Sequence, residues 1–274
     1  MINKSYPARH RLIYKGEQGT IVEGKPFVSR WGSVLSTLGL SLSGTILFAN
    51  EILLTEGDSD PMYIHACFQR MISEGKLKAE INGFSALSTS NSRNADVMLR
   101  ILGESKPTPN IMLLFDGDKG GKEREADLKD FIVELGVPSH RLDDNLSIED
   151  YLPGGDELYA AAVSAYLLKL TKKNELPALA SKSIADWRNT EKKNSSLCAW
   201  SAEFATKQCS LNSPLSKVGV AREYIGLMDG VSFTQFDKSA VKRCLRLLEK
   251  IVSGLQIPEQ ATAPQKILAT PEES

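Results

Sequence analysis

The amino-acid sequence predicts an α/β fold in which a parallel β-sheet flanked by helices is followed by a helical C-terminal part. Residues 111–115, Ile-Met-Leu-Leu-Phe, form an apolar run without polar alternation, which is typical of a central parallel strand covered on both faces. Candidate strands and helices alternate between residues 48 and 156, and this alternation indicates a parallel sheet. From residue 157 onwards, alanine and leucine recur at helical spacing.

The bulk composition is that of a globular protein. The chain has 274 residues, 42% of them hydrophobic, which suits one large domain or a main domain with an appendage. No apolar stretch approaches the roughly 20 residues of a membrane span, and the N-terminus lacks the apolar segment of a secretory signal. We therefore expect a cytoplasmic protein without membrane contact. The net charge of −1 means that any nucleic-acid surface must come from local clustering.

The four cysteines form no recognisable metal or redox motif. Cys67, Cys198, Cys209 and Cys244 are widely scattered, and the sequence has no C-x-x-C pair. Three of them lie within apolar helical patterns. We interpret them as reduced core residues and expect no zinc site.

The first 47 residues do not resemble an independent domain. Basic residues come early, short apolar pieces follow, and an amphipathic segment rich in serine and glycine spans residues 31–43. Its apolar stripe, which includes Trp31 and Leu38, is too small to fold alone. We therefore expect this segment to pack on another surface.

The next strand is predicted at residues 48–55, and it leads directly into the acidic turn Glu-Gly-Asp-Ser-Asp at residues 56–60. Asp60 is predicted to cap a helix that ends near Ser73, and Pro61 suits the first helical position. A strand therefore delivers an acidic turn to the start of a helix.

Further elements are predicted on either side of the central strand. Residues 78–84 are predicted to form a short strand, and the polar stretch 85–94 is predicted to be a loop without a packing pattern. Residues 96–103 are predicted to form a short helix. After the central strand, apolar residues recur at helical spacing between residues 128 and 135, and a glycine and a proline then predict the end of that helix.

The C-terminal part is predicted to be helical up to about residue 255. Its last helix exposes a basic stripe that includes Lys242 and Arg243, which could be a solvated face or a nucleic-acid contact. Residues 256–274 are rich in Pro, Gln, Ala and Thr and are predicted to be a disordered tail. The predicted domains are a connecting segment at 1–47, a catalytic domain at 48–156, a helical domain at 157–255 and the tail. The predicted helices span residues 157–172, 180–187, 195–207, 217–228 and 237–253.

Two aspartates separated by one glycine follow the central strand. Ligands of open α/β sheets bind just beyond such strand ends, where Asp116 and Asp118 lie. Two carboxylates this close repel each other unless a cation or a proton lies between them, and hard oxygen ligands favour Mg²⁺ or Mn²⁺. Because Asp-Gly is also a strong turn dipeptide, a plain turn is the alternative.

The pairing of E-G-D-S-D at one strand end with D-G-D at a later one resembles a Toprim domain, a Rossmann-like fold shared by topoisomerases, primases and certain nucleases. The segments FANEILLTEGDSD, LLFDGDKGG, LSIEDYLP and KVGVA look like the catalytic region of the OLD (overcoming lysogenization defect) family of endonucleases. Those are ATPase–Toprim proteins, several of them linked to antiviral defence. The resemblance covers roughly residues 10–228.

The resemblance implies which side chains would act. It implies that Lys217 stabilises a negatively charged transition state and that Glu56 is catalytic as well as a metal ligand. Each assignment has an alternative: Asp60 could be a helix cap, Glu149 could belong to a helix-start signature, and Lys217 could simply open a helix. His65 is interpreted as packed. The implied metal ligands are Glu56, Asp60, Asp116, Asp118 and Glu149, with Ser147 as a further ligand.

The function implied by the resemblance is divalent-metal-dependent DNA endonuclease or nickase activity with two Mg²⁺ or Mn²⁺ ions. Lys119 and Lys122, beside the D-G-D turn, could contact the phosphate backbone of DNA. A docking module that binds metal for structure only is one alternative. A haloacid-dehalogenase-like phosphatase is another, although Lys119 stands where that class has a small β-branched residue.

One feature of the family is missing. No G-x-x-x-x-G-K-[ST] phosphate loop occurs in the chain, and residues 1–47 resemble the segment that connects the ATPase to the Toprim domain. We therefore expect either an excised catalytic fragment or an ATPase supplied by another chain, and an oligomer in the full assembly.

Overall fold

A computed structural model describes most of the chain, which divides into two compact units, residues 1–49 and 50–274. Three sequence predictions lie largely or wholly outside the described residues: the amphipathic segment at 31–43, the helix at 96–103 and the tail at 256–274. The four-part domain division stays a prediction. The described residues are 11–16, 19–24, 49–79, 83–89, 110–171, 176–189, 196–211 and 214–255, together with Ala95, Met98 and Leu99.

The described part of the first unit is an antiparallel strand pair. Strand β1, Arg11–Gly16, pairs with β2, Gly19–Gly24, so that Ile13 lies opposite Val22. β-Branched residues such as these favour extended backbone.

The second unit contains a four-stranded parallel sheet with the order β4-β3-β5-β6. Its two central strands are β3 and β5, and every residue of β5 after Asn110 is buried. This confirms the predicted parallel sheet and its central strand. The strands are β3, Glu51–Thr55; β4, Phe84–Ser88; β5, Asn110–Phe115; and β6, Ser139–Arg141.

The position of β4 corrects the sequence prediction. A strand was expected at residues 78–84, but β4 begins at Phe84 and continues through residues expected to form a polar loop. Ser85 is buried despite its polarity. His65 supports this edge strand, because its Nε2 accepts a hydrogen bond from the Ala86 N–H at 3.2 Å. The interpretation of His65 as a packed residue is thus confirmed.

The helices lie where the sequence predicts them, within a few residues. The region predicted to be helical between residues 128 and 135 is α3, and α2 precedes it immediately after the D-G-D turn. The helices around the sheet are α1, Asp60–Ser73; α2, Lys119–Asp127; and α3, Lys129–Leu135. Those of the C-terminal part are α4, Gly155–Thr171; α5, Leu176–Arg188; α6, Leu197–Cys209; α7, Lys217–Gly230; and α8, Lys238–Leu255. Short 3₁₀ helices span Ile148–Tyr151 and Phe233–Gln235.

The helical part packs directly on the sheet and on α1, so that they share one hydrophobic core. Tyr63 of α1 meets Tyr224 of α7 edge to face, with ring centroids 5.8 Å apart. Gly254 of α8 lies so close to β5 that a Cβ there would approach the sulfur of Met112 to 2.5 Å. None of the four cysteines forms a disulfide bond, and all except the half-buried Cys198 are buried, as expected for core residues. Within the described residues, no helix combines the length and apolar content needed to cross a membrane.

Candidate functional site

Glu56 and Asp116 lie side by side, each directly after the last residue of a central strand. Leu54 pairs with Leu113 in the parallel β3–β5 ladder, so both strands end at the same edge. The Asp116 N–H donates a hydrogen bond to Oε1 of Glu56 at 3.1 Å. Gly121 makes this approach possible, because a Cβ there would lie 2.0 Å from the Asp116 carbonyl oxygen and 2.9 Å from Glu56 Oε1. The strand edge thus presents two adjoining acids.

Asp60 is the first residue of α1, and its position corrects the predicted capping role. Ser59 occupies the cap position, and no side chain caps this helix. The Asp60 carboxylate instead turns back and accepts a hydrogen bond from the Gly57 N–H at 2.8 Å. It is 7% exposed and lies within electrostatic reach of Glu149. Helix capping therefore does not explain this buried acid.

Glu149 lies in the 3₁₀ helix Ile148–Tyr151, and its neighbour takes the predicted capping role. Both the backbone N–H and the hydroxyl of Ser147 donate to Oδ2 of Asp150, at 3.1 and 3.2 Å. Asp150, and not Glu149, therefore makes the capping hydrogen bonds at the start of this helix. Glu149 is nevertheless only 3% exposed. The Ser147 hydroxyl, a predicted further ligand, is engaged by Asp150.

Burial and mutual repulsion raise the pKa of three of these acids, Glu56, Asp60 and Asp116. Burial raises the pKa of Asp116 to about 9, and the charges of Asp60, Glu149 and Glu56 add to the effect. Burial likewise raises the pKa of Asp60 to about 7, with Glu149 contributing next. Burial also raises the pKa of Glu56, against an opposing effect of Arg124. The nearby positive charges of Arg124 and Lys217 therefore do not offset the effect of burial on these three pKa values.

The acids affect one another's pKa, but their side chains are not arranged as a metal-binding site. Across the part of the chain that the structure describes, no three acid, histidine or cysteine side chains are placed to enclose a metal ion. The hydrogen bonds explain this arrangement: Glu56 turns to the Asp116 N–H and Asp60 to the Gly57 N–H. The donor set nevertheless fits a hard divalent cation, because its members are carboxyl groups, whose oxygens are the ligands that such ions prefer.

Lys217 supplies a positive charge beside these acids. It opens α7, where the Ser216 hydroxyl caps the helix by accepting from the Gly219 N–H at 3.1 Å. Burial acts to lower the pKa of Lys217, but the neighbouring Cys198, Glu149 and Asp116 raise it overall. The residue as a whole is exposed, while the charges of Glu149 and Asp116 act on its ammonium. Lys217 therefore both opens a helix and belongs to the site.

Asp118 lies at the rim of the acid cluster. Its Oδ1 accepts a hydrogen bond from the Gly121 N–H at 2.8 Å and so caps α2, while its side chain remains exposed. Its charge contributes to the raised pKa of Glu56, after the larger effect of burial. Asp118 therefore has a structural role whether or not it binds metal.

The predicted nucleic-acid contacts are spread over two surfaces. Lys119 and Lys122 are exposed on α2, where they pair with Glu123 at 3.5 Å and with Asp144 at 3.0 Å. On α8, Lys242 is exposed and Arg243 is half-buried near Asp237 and Tyr151. The role of all four in DNA binding stays a prediction.

Two residues of the site were missed by the sequence reasoning. Arg124 of α2 forms an ion pair with Glu56, and Asp150 anchors the turn that carries Glu149. Arg124 lies three residues after the buried Gly121, hence on the same face of the helix. Helical spacing from the D-G-D motif could therefore have found it.

Comparison with known proteins gives a limited result. No protein-family model and no curated protein matches the chain. Solved structures of the C-terminal region of the Xanthomonas campestris pv. campestris OLD protein are similar to it. One has a TM-score of 0.45 at 13% identity, covering 77% of this chain and 97% of that chain. Two others have TM-scores of 0.42 at 13% and 12% identity, each covering 76% of this chain and 98% of the other. Similarity at this level does not establish family membership.

The raised carboxylate pKa values predict an unusual pH dependence of stability. An acid whose folded pKa lies above its unfolded value of 3.8 stabilises the fold below that value, and the contribution is lost as the pH rises through the folded pKa. In chelator, we expect the melting temperature to fall by about 5 °C between pH 6 and pH 9. Mn²⁺ should reverse the fall, because it neutralises the ionised acids. Scanning calorimetry across this range measures both effects, and a melting temperature that does not change with pH would contradict the assignment.

Proposed function

We propose that this chain is a divalent-metal-dependent DNA endonuclease or nickase of the OLD-like Toprim type. The observation that supports this most is the acid cluster at the carboxyl edge of the sheet, which consists of three buried acids and the half-buried Asp116 and has a lysine ammonium beside it. Glu56, Asp60, Asp116 and Glu149 come from three separate chain segments. Bringing these four acids together is unfavourable for folding unless bound cations or protons neutralise their charge.

The proposed cofactor is Mg²⁺ or Mn²⁺, with two ions per site. Glu56, Asp60, Asp116, Asp118 and Glu149 would hold them, through carboxylate oxygens of the kind these ions prefer. When bound, such ions supply an activated water and neutralise charge on the phosphoryl group and the leaving oxygen. Ser147 is the weaker candidate, because its hydroxyl already donates to Asp150.

The chain's own groups have complementary tasks. Lys217 remains protonated, since the surrounding acids raise its pKa, and its ammonium would stabilise the negative charge that grows on the phosphoryl oxygens. The nearby Cys198 remains a neutral thiol, because burial raises its pKa to about 12. Cys198 is therefore not a nucleophile in this proposal.

The phosphatase alternative is less well supported. In that mechanism the first aspartate, here Asp116, attacks phosphorus as an ionised carboxylate. Burial and the charges of three other acids raise its pKa, which disfavours the ionised form that this attack requires. A cluster of acids suits cation binding better than it suits a single carboxylate nucleophile.

Purified protein incubated with supercoiled plasmid tests the proposal. We expect relaxed or linear DNA with Mn²⁺ or Mg²⁺ and intact plasmid with chelator. A parallel reaction with p-nitrophenyl phosphate distinguishes the alternative, because a phosphatase would release nitrophenol and leave the plasmid intact. Plasmid that stays supercoiled over a wide range of Mn²⁺, salt and protein concentrations would contradict the nuclease proposal.

We further propose that the chain acts with an ATPase domain or subunit, as the OLD proteins that its motifs resemble do, and within an oligomer. The chain's own sequence supports this only by lacking a phosphate loop. We also propose a role in antiviral defence, on the basis of the same resemblance.

A further inference from the structure

Arg124 of α2 forms an ion pair with a principal acid of the candidate site. Its Nη1 lies 2.8 Å from Oε2 of Glu56, and the two side chains are 33% and 10% exposed. The other Glu56 oxygen, Oε1, accepts the hydrogen bond from the Asp116 N–H at 3.1 Å. Both oxygens of Glu56 are therefore engaged by groups of the chain itself.

The other cations of α2 pair in a different environment. Lys119 and its partner Glu123 have side chains that are 90% and 65% exposed, and Lys122 and Asp144 are 45% and 70% exposed. Pairs of this kind contribute little to stability. Arg124 differs because its partner is nearly buried among other acids, where a positive charge offsets their repulsion.

The two partners of Glu56 are not equally replaceable. The Asp116 N–H belongs to the backbone at the end of β5 and is fixed by the sheet. The Arg124 guanidinium is carried by a long side chain that is one-third exposed, so it can leave without disturbing the backbone. A divalent cation that takes a Glu56 oxygen would therefore displace Arg124. A freed guanidinium at this edge has the planar, forked geometry that matches phosphate oxygens.

We propose that Arg124 holds Glu56 until a divalent cation displaces it, and that the freed guanidinium then binds a substrate phosphate. This inference rests on the proposed nuclease function and adds a sequence of events to it. Cation loading and DNA binding become coupled, because the same step that fills the metal site releases a phosphate-binding group.

Isothermal titration with Mn²⁺ tests the first half. Arg124→Gln should bind Mn²⁺ about tenfold more tightly than the wild type, because a competing positive charge is removed. Arg124→Lys, which keeps a charge without the fork, should lie between them. Arg141→Gln is the matched control: its side chain is 31% exposed, and its partners Glu125 and Asp144, 37% and 70% exposed, lie outside the acid cluster. That variant should bind Mn²⁺ as the wild type does.

A double variant shows whether the effect passes through Glu56. In a Glu56→Gln background, Arg124→Gln should no longer change Mn²⁺ affinity, because the carboxylate for which Arg124 and Mn²⁺ compete is absent. An undiminished effect there would mean that Arg124 acts through general charge, and it would overturn the inference. So would an Arg124→Gln variant that binds Mn²⁺ no more tightly than the wild type.

DNA affinity tests the second half. With Ca²⁺ as the cation, fluorescence anisotropy should show that Arg124→Gln binds a DNA duplex about fivefold more weakly than the wild type, while Arg141→Gln does not. Equal affinities would overturn the transfer to phosphate. If wild-type protein cuts DNA but Arg124→Gln is unaltered in both assays, only this inference fails. If wild-type protein binds no Mn²⁺, the proposed function fails and this inference fails with it.

Discussion

Replacing Asp116 by asparagine is expected to reduce metal-dependent DNA cleavage by at least about a thousandfold. Asp116 follows the central strand directly, and the charges of Asp60, Glu149 and Glu56 all act on it. An amide of the same shape keeps the packing but removes the charge that would hold a cation. The fold should survive, and in chelator at pH 8 it should be more stable by about 2 kcal/mol, because one source of repulsion is gone.

Plasmid nicking and thermal unfolding of the same preparations measure the two effects. Asp130→Asn is the matched control, since it removes an exposed carboxylate from α3, outside the acid cluster. It should change neither cleavage nor stability. An Asp116→Asn variant that still cuts DNA at the wild-type rate would show that this acid is not a metal ligand. A loss of activity together with a large loss of stability would indicate a structural role instead.

The D-G-D motif contains two aspartates with different roles. Because neighbouring carboxylates repel each other, replacing both by alanine would be expected to leave the fold intact or stabilised. The structure restricts that expectation to Asp116, because Asp118 caps α2 through the Gly121 N–H. Loss of such a cap costs about 1 kcal/mol. The two substitutions should therefore have opposite effects on stability.

Prediction from the sequence succeeded where the apolar pattern of a segment matches its burial in the folded protein. The apolar run of β5 is buried on both faces in the parallel sheet, as its lack of polar alternation predicts. The amphipathic helices of the C-terminal part were predicted for the same reason: their apolar spacing fixes which side packs on the core. Asp60, by contrast, has the residue type and place of a helix cap, and its carboxylate bonds one turn earlier in the chain. Several local hydrogen bonds of similar energy were available to it, so sequence could not select among them.

Contacts between distant segments were beyond reach for another reason. β4 was misplaced because its serines look like loop residues, whereas Ser85 lies buried in an edge strand. The ion pair of Arg124 with Glu56 joins residues 68 positions apart. Helical spacing could place Arg124 on the face of α2 that carries Gly121, but it could not identify Glu56 as its partner. Only the family resemblance placed Glu149 in the same site as the earlier acids. The structure adds that the charge of Glu149 raises the pKa of both Asp60 and Asp116.

Replacing Asp150 by alanine is expected to destabilise the fold by about 3–4 kcal/mol, which lowers the melting temperature by roughly 10 °C. Asp150 is 2% exposed, and its carboxylate accepts from the Ser147 N–H at 3.1 Å and from the Leu197 N–H at 3.2 Å. Nη2 of Arg188 lies 3.4 Å from its other oxygen. Alanine would leave these donors in place without their acceptor.

The loss should also reach the candidate site. Asp150 links the turn that carries Glu149 to the first residue of α6 and to the last residue of α5. Without it, Glu149 would lose its fixed position, so we expect cleavage to fall even at temperatures where the variant remains folded. Asp237→Ala is the control: it removes an exposed carboxylate that accepts from the Ala240 N–H at 2.7 Å, at an expected cost of about 1 kcal/mol. Chemical denaturation of both variants gives the comparison. An Asp150 variant no less stable than the Asp237 variant would mean that the buried network does not hold the turn, and the placement of Glu149 would then need another cause.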